Sequence, residues 1–141
     1  MKDCSLCKEN KSGIWIKKFK YWNMHICQYQ HTVGNIGLVL NTHKEIFSEL
    51  NENEIVELGK LIKLAQKILT TEFKPDWFNI QQNGNWFHHL HFNIMPRYKD
   101  KRVFNGLTFV DKTFQHPITY TSKDSSKTFI QTLTNALKKH L

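Results

Sequence analysis

The sequence predicts an α+β fold: an antiparallel β-sheet of about five strands, one main amphipathic helix and a C-terminal helix. Three strand-like segments precede the main helical segment, and two follow it. The last two strands are separated by Asn83-Gly84-Asn85, whose composition favours a turn, so we expect them to pair antiparallel. The chain has 141 residues, 40% of them hydrophobic, which is enough for the core of a single domain.

The first three strands are predicted at residues 13–19, 21–30 and 34–40. In the second segment, alternate side chains would share one side of a strand, and this side would carry Trp22, Met24, Ile26 and Gln28. The third, Gly-Asn-Ile-Gly-Leu-Val-Leu, is rich in aliphatic residues, which favours a strand.

The main helix begins at Asn51 or Asn53, since either side chain can cap the first turn, where several glutamates favour a helix N-terminus. A three-to-four spacing of apolar residues predicts its buried side, formed by Ile55, Leu58, Ile62, Ala65 and Leu69. The helix is predicted to end near Thr71, before Lys74-Pro75.

Two further strands and a second helix are predicted after the main helix. The strands lie at residues 78–82 and 87–95, and Pro96 ends the second one. Residues 99–127 are expected to be irregular. Residues 128–140 predict the C-terminal helix, which carries Phe129, Ile130, Leu133 and Leu137.

The charge of the chain favours anionic ligands. The formal net charge is +8, from 18 lysines and two arginines against 12 acidic residues. Proteins that read duplex sequence rely on the forked guanidinium of arginine, whereas lysine acts as a point charge. The composition therefore favours phosphorylated ligands and does not favour nucleic acid as a partner.

The N-terminus and the cysteines define the expected compartment. The N-terminus is polar, without the apolar segment of a secretory signal, and no apolar run is long enough to span a membrane. An odd number of cysteines argues against a disulfide framework, so we expect a cytoplasmic protein without membrane contact. Cys4-x-x-Cys7 then indicates metal or redox chemistry, and its nearness to the terminus favours metal.

Three histidines lie within four residues at the start of the last predicted strand. Strand alternation predicts one polar side, formed by His89, His91, Asn93 and Met95, and one largely apolar side, formed by His88, Leu90, Phe92 and Ile94. The exposed side of an edge strand would give the same pattern. Alternatively, neighbouring imidazoles can ligate a metal or attack phosphorus, and the preceding asparagine and glycine turn can donate to phosphate.

These residues resemble the histidine triad (HIT) superfamily, whose signature is His-φ-His-φ-His-φ-φ, with φ apolar. The matching stretch is His89-Leu-His-Phe-Asn-Ile-Met-Pro-Arg97 within residues 79–98, and residues 34–43 resemble the family's glycine-led strand that ends in a histidine. The Cys-x-x-Cys pair is similar to that of the zinc-containing branch of the family. With this pair, the chain resembles the diadenosine polyphosphate hydrolases. The resemblance covers about residues 4–98 of a single HIT-like domain, 1–141, with a C-terminal extension at 99–141.

The resemblance implies a structural zinc ion and a catalytic histidine. The zinc ligands would be Cys4, Cys7, His43 and His89, a closed tetrahedral set. His91 would attack the α-phosphorus of a dinucleoside polyphosphate or related nucleoside phosphate ester and form a nucleotidyl-histidine intermediate. The implied substrate-binding residues are Asn79, Asn83, Gly84, Asn85 and Arg97. A homodimer through the helix or a sheet edge is also implied.

The chain departs from the family pattern at Asn93, where hydrolytic members carry a third histidine and transferase or phosphorylase members carry glutamine. Asparagine donates hydrogen bonds but cannot carry a proton. The short chain favours a nucleotide hydrolase; a nucleotidyltransferase or phosphorylase, a non-catalytic nucleotide-binding module and a zinc-stabilised scaffold without a ligand are the alternatives. A second departure is the absence of an acidic residue at 27–31, where many members place one.

Overall fold

The computed structural model describes residues 3–141, so the first two residues of the expected domain lie outside the described range. Its elements are α1 (Ser5–Ser12), β1 (Lys17–Lys18), β2 (Trp22–Ile26), β3 (Ile36–Leu40), a 3-10 turn (Phe47–Glu49), α2 (Glu52–Phe73), β4 (Trp77–Gln81), β5 (His91–Arg97), β6 (Arg102–Phe104), β7 (Leu107–Phe109) and α3 (Lys127–Lys138). Among these residues, no helix combines the length and apolarity needed to cross a membrane.

The sheet has five antiparallel strands in the order β1-β2-β3-β5-β4, which confirms the predicted α+β class. Helices α2 and α3 contribute to one apolar core on one side of the sheet, through residues such as Ala65, Leu69, Leu133 and Leu137. The C-terminal segment is therefore part of the same core as the strands. The other side of the sheet carries the candidate site.

Helix α2 has the predicted cap. The Glu54 amide donates to Asn51 Oδ1, and the Asn51 amide donates to Glu54 Oε2, each at 2.9 Å. The helix continues to Phe73, two residues past the predicted end, and Lys74 adopts a left-handed conformation just before Pro75. The predicted buried side is partly wrong: Ile55 is exposed, while Leu61 and Ile68 are buried.

Several predicted strand limits are corrected. Strand β1 is limited to Lys17–Lys18, because only these two residues pair with β2, opposite Met24 and Asn23. The last strand of the sheet begins only at His91 and continues through Pro96. Thr32 Oγ1 donates to the Pro96 carbonyl at 2.6 Å. The nitrogen and the carbonyl of one strand residue face the same neighbour, so the Pro96 nitrogen also faces this side. The pairing with β3 stops at Ile94 opposite Ile36, so no donor is needed at Pro96.

The segment expected to be irregular contains a hairpin. Strands β6 and β7 pair antiparallel around Asn105-Gly106, both with positive φ. Such a dipeptide is a common two-residue hairpin turn. By contrast, β4 and β5 are joined by residues 82–90, a longer connection than the tight turn predicted at 83–85.

Gly34 lies where α2 packs closely against the segment that leads into β3. Its φ is +97°, and a Cβ there would lie 2.8 Å from Leu69 Cδ2. We expect Gly34→Ala to lower the free energy of unfolding by about 2 kcal/mol, measured by urea denaturation. Gly59→Ala is the matched control. Nothing lies within 4 Å of a Cβ at this α2 position, so the change should raise stability by up to about 1 kcal/mol. Equal effects of both changes would contradict the described packing.

Candidate active site and metal cluster

A pocket of about 620 Å³ lies on the side of the sheet opposite α2. Three alternate residues of β5 line it, namely His91, Asn93 and Met95. The structure therefore brings together three of the four residues of the predicted polar side. The fourth, His89, lies before β5. Aromatic rings of Trp15, Tyr29, Phe87 and Tyr120 form much of the remaining wall.

The ring of His91 has a defined tautomer. Its Nδ1 lies 2.6 Å from the carbonyl oxygen of His89. Because a carbonyl oxygen only accepts hydrogen bonds, Nδ1 carries the proton and Nε2 keeps its lone pair. His91 is thus prepared to act as a nucleophile through Nε2.

A second imidazole, His25 of β2, also lines this pocket and was not singled out from the sequence. His25 pairs with Gly37 of β3, which in turn pairs with Asn93 of β5. A Cβ at position 37 would overlap the His25 ring, so the glycine leaves the space that this ring occupies. The signal in the sequence was the position of His25 between Met24 and Ile26, two apolar residues of β2. The glycine opposite His25 follows from the strand register.

His25 does not replace the missing third histidine as a phosphate donor. Its Nδ1 lies 3.1 Å from the carbonyl of Ile26, so this nitrogen carries the proton and Nε2 is an acceptor. Burial lowers the pKa of His25 to about 4, so the ring is neutral near pH 7. In this row of the sheet, the side-chain donor that lines the pocket is therefore the amide of Asn93.

Cys27 and Glu9 also belong to the polar part of the pocket wall. Cys27 Sγ lies 3.5 Å from Asn93 Oδ1. Burial, aided by the charge of Glu9, raises the pKa of the Cys27 thiol to about 12, so the thiol is protonated. Desolvation raises the pKa of Glu9, while positive charge on His91 acts in the opposite direction. The place of Glu9 in the pocket was not predicted from the sequence.

The four predicted metal ligands form one cluster, and the ligand atoms of Cys4, Cys7, His43 and His89 all lie within 4.8 Å of one another. Cys7 Sγ is 3.4 Å from His43 Nδ1 and 3.3 Å from His89 Nδ1. A tetrahedral zinc shell places sulfur and nitrogen about 3.5 Å apart, so the cluster fits this ion. Four protein ligands leave no open position, which makes the cluster suited to a structural metal.

The surroundings of both histidines favour metal binding through Nδ1. His89 Nε2 lies 2.7 Å from the carbonyl of Leu40, so Nε2 donates and Nδ1 presents its lone pair to the cysteines. His43 Nε2 lies 3.5 Å from Glu45 Oε1, which favours the same tautomer. His89 precedes β5, so it occupies a different site from His91 even though the two are separated by one residue.

Helix α1 connects the cluster to the pocket. Cys4 caps this helix, and its sulfur accepts from the Cys7 amide at 3.4 Å. From the same helix, Leu6 and Glu9 line the pocket of His91. A metal in the cluster would therefore hold part of the pocket wall in place.

Asn79 and Arg97 lie together outside this pocket, in a groove along β4. Arg97 is 1% exposed. All five of its N–H donors have partners within the protein, supplied by Asp111, Asn79, Thr113 and the His116 carbonyl. Because no donor is left over, the expectation that Arg97 binds the substrate is corrected: the residue binds the C-terminal segment to the sheet.

The other predicted phosphate-binding residues lie in the connection 82–90. Gly84 has a φ of +71°, as expected for a turn glycine. Asn83 and Asn85 are exposed and are not among the residues that line the pocket. From this connection, Phe87 reaches the pocket wall.

A scan against protein-family models finds no matching family, and a search of curated proteins finds no relative. Solved structures do match. A hypothetical histidine triad nucleotide-binding protein from Sulfolobus tokodaii has a TM-score of 0.76 at 17% identity, over 97% of this chain and 91% of that chain. A zinc-bound histidine triad family protein from Mycobacterium smegmatis has a TM-score of 0.69 at 15% identity, over 98% and 95%.

A third similar structure is the Plasmodium falciparum diadenosine triphosphate hydrolase, with a TM-score of 0.58 at 22% identity, over 61% of this chain and 62% of that chain. At these identities the likeness establishes the fold. The chain has the histidine triad fold, and the resemblance noted in the sequence is confirmed at this level.

The cluster predicts that the full-length protein binds about one zinc or cobalt ion per chain. We expect Cys4→Ser to lower the metal content severalfold, because the closed shell loses one thiolate. The measurements are metal content by mass spectrometry and the thiolate absorption band of bound Co²⁺. Cys27→Ser is the control, since Cys27 lies in the pocket and not in the cluster. Undiminished metal in Cys4→Ser would rule out this site.

Proposed function

We propose that this chain is a nucleotide hydrolase of the histidine triad superfamily. It would act at the α-phosphorus of dinucleoside polyphosphates or related nucleoside phosphate esters, through a nucleotidyl intermediate on His91. The observation that supports this most strongly is the contact between His91 Nδ1 and the His89 carbonyl at 2.6 Å. It leaves Nε2 as the nucleophilic atom of a side chain that lines the pocket.

The reaction has two steps on the same nitrogen. In the first, the lone pair of Nε2 forms a bond to phosphorus, and the bond from phosphorus to the bridging oxygen breaks, so the leaving group departs with that electron pair. In the second, the oxygen of water forms a bond to phosphorus while the P–N bond breaks and returns the lone pair to Nε2; the proton of the water passes to solvent. The His89 carbonyl stabilises the positive ring by accepting from Nδ1 throughout.

The shape and lining of the pocket support a nucleotide as ligand. A volume of about 620 Å³ falls in the usual range for small-molecule sites. The aromatic wall offers faces on which a base can stack, and the net charge of +8 favours a polyanion. The hydrolase from Plasmodium falciparum, which shares the fold, acts on a diadenosine polyphosphate, and this supports the same substrate class here.

Asn93 favours a second candidate, a nucleotidyltransferase or phosphorylase. Its amide lines the pocket next to His91 and can donate to phosphate, but it cannot deliver a proton. A histidine at this position could do both. An acceptor such as inorganic phosphate would then replace water in the second step, with the same nucleotidyl-His91 intermediate.

The zinc ion is a structural part of this proposal. Bound by Cys4, Cys7, His43 and His89, it would supply a closed shell that fixes these side chains. The chain's own residues carry out the chemistry: His91 attacks, and Asn93 donates to the phosphate.

The test is turnover of diadenosine polyphosphates, nucleoside phosphoramidates and nucleotide sugars, with and without added phosphate. His91→Ala should lower kcat/KM by about 10³-fold or more, because it removes the nucleophile. His88→Ala is the matched control: this histidine is exposed, lies outside the pocket lining, and its loss should leave the rate within about twofold. Full activity in His91→Ala would refute the mechanism, and turnover that requires phosphate would identify the phosphorylase.

A further inference from the structure

We propose that Cys27 is a positioning residue: its thiol donates to Asn93 Oδ1 and thereby turns the amide NH₂ of Asn93 toward the phosphate bound at His91. This inference rests on the proposed function and deepens it, because it explains how an asparagine serves at this position. The contact that carries it is the Cys27 Sγ to Asn93 Oδ1 distance of 3.5 Å.

The strand order explains how Cys27 reaches Asn93. Cys27 follows β2, and its amide donates to the Asn35 carbonyl at 2.9 Å, which extends the pairing of β2 with β3 by one step. Asn93 lies on β5, on the far side of β3. The β3 residue that pairs with Asn93 is Gly37, and the ring of His25 lies over this glycine. Cys27 pairs one step further along β3, at Asn35, and its sulfur reaches Asn93 Oδ1 diagonally across the middle strand.

The two ends of the Asn93 amide differ in hydrogen bonding, and a contact with Oδ1 decides which end faces the phosphate. The oxygen and the NH₂ group of asparagine have nearly the same shape, so packing alone does not distinguish the two orientations. Phosphate oxygens accept hydrogen bonds, so only the NH₂ end of Asn93 binds them productively. A donor on the opposite side selects this orientation by occupying Oδ1.

The thiol of Cys27 acts as that donor. It is protonated near pH 7, because burial and the charge of Glu9 raise its pKa to about 12. Its position in the wall of the pocket places the contact beside the reacting groups. A carboxylate at this position would only accept, and it would attract the NH₂ end of Asn93 away from the phosphate.

The test compares Cys27→Ala, which removes the donor, with Cys27→Ser, which keeps one. We expect Cys27→Ala to lower kcat about fivefold to tenfold with little change in KM, and Cys27→Ser to restore at least half of the parental kcat. Cys27→Val, a larger apolar replacement without a donor, should behave as Cys27→Ala does and serves if the alanine variant fails to fold. Parental kcat in both non-donor variants would overturn the proposal.

A double-mutant cycle separates positioning from a general structural effect. In an Asn93→Ala background there is no amide to orient, so adding Cys27→Ala should change the residual kcat by less than twofold. The same fivefold to tenfold loss in both backgrounds would show that Cys27 supports the pocket in another way and would overturn the proposal.

A measurement that needs no turnover distinguishes failure of this inference from failure of the proposed function. The side-chain NH₂ signals of Asn93, assigned by their loss in Asn93→Ala, are compared in ¹⁵N-labelled parent and Cys27→Ala protein. We expect the signals to shift and broaden in Cys27→Ala as the amide loses its fixed orientation. Unchanged signals would overturn the Cys27 contact, whereas a shift in a protein that turns over none of the substrates would overturn only the hydrolase and transferase proposals.

Discussion

The antiparallel pairing of β3 with β5 is the constraint on which the rest of the structure depends. One register places His91 opposite Val39 and Asn93 opposite Gly37. The same pairing continues past the strand, where Leu40 donates to the Leu90 carbonyl and His89 contacts the Leu40 carbonyl. Because side chains alternate along a strand, a slip of one residue would move the pocket residues into the core and Leu90 and Ile94 out of it. The apolar core thus fixes the position of the candidate nucleophile.

The metal cluster and the pocket are two consequences of that register, and α1 connects them. His89 brings the two cysteines to the sheet, and the helix that they begin then carries Leu6 and Glu9 into the wall of the pocket. A metal bound by this cluster would anchor one wall of the pocket without lining it. Gly37 also shapes the pocket, since its missing side chain leaves room for the ring of His25 from β2.

The sequence predicted the features that arise from local pattern and left out those that depend on tertiary contacts. The strand alternation placed His91, Asn93 and Met95 on one side, and the capping residue Asn51 located the start of α2. Helix α1 was missed because eight residues with little apolar periodicity give a weak signal, and its cap is a cysteine that also belongs to the cluster. Arg97 was misplaced because burial by Asp111 and the C-terminal segment is not visible in the motif. The contacts of His25, Glu9 and Cys27 depend on strands and helices distant in sequence.

The central claim is that Nε2 of His91 forms a covalent bond to the substrate phosphorus. The most direct measurement is rapid quenching of the protein with a labelled dinucleoside polyphosphate at alkaline pH, where phosphoramidates persist, followed by digestion and mass spectrometry of the peptide around His91. The account predicts an acid-labile nucleotidyl group on His91 that forms and decays during turnover. Turnover without this adduct, or an adduct on another residue, would contradict it.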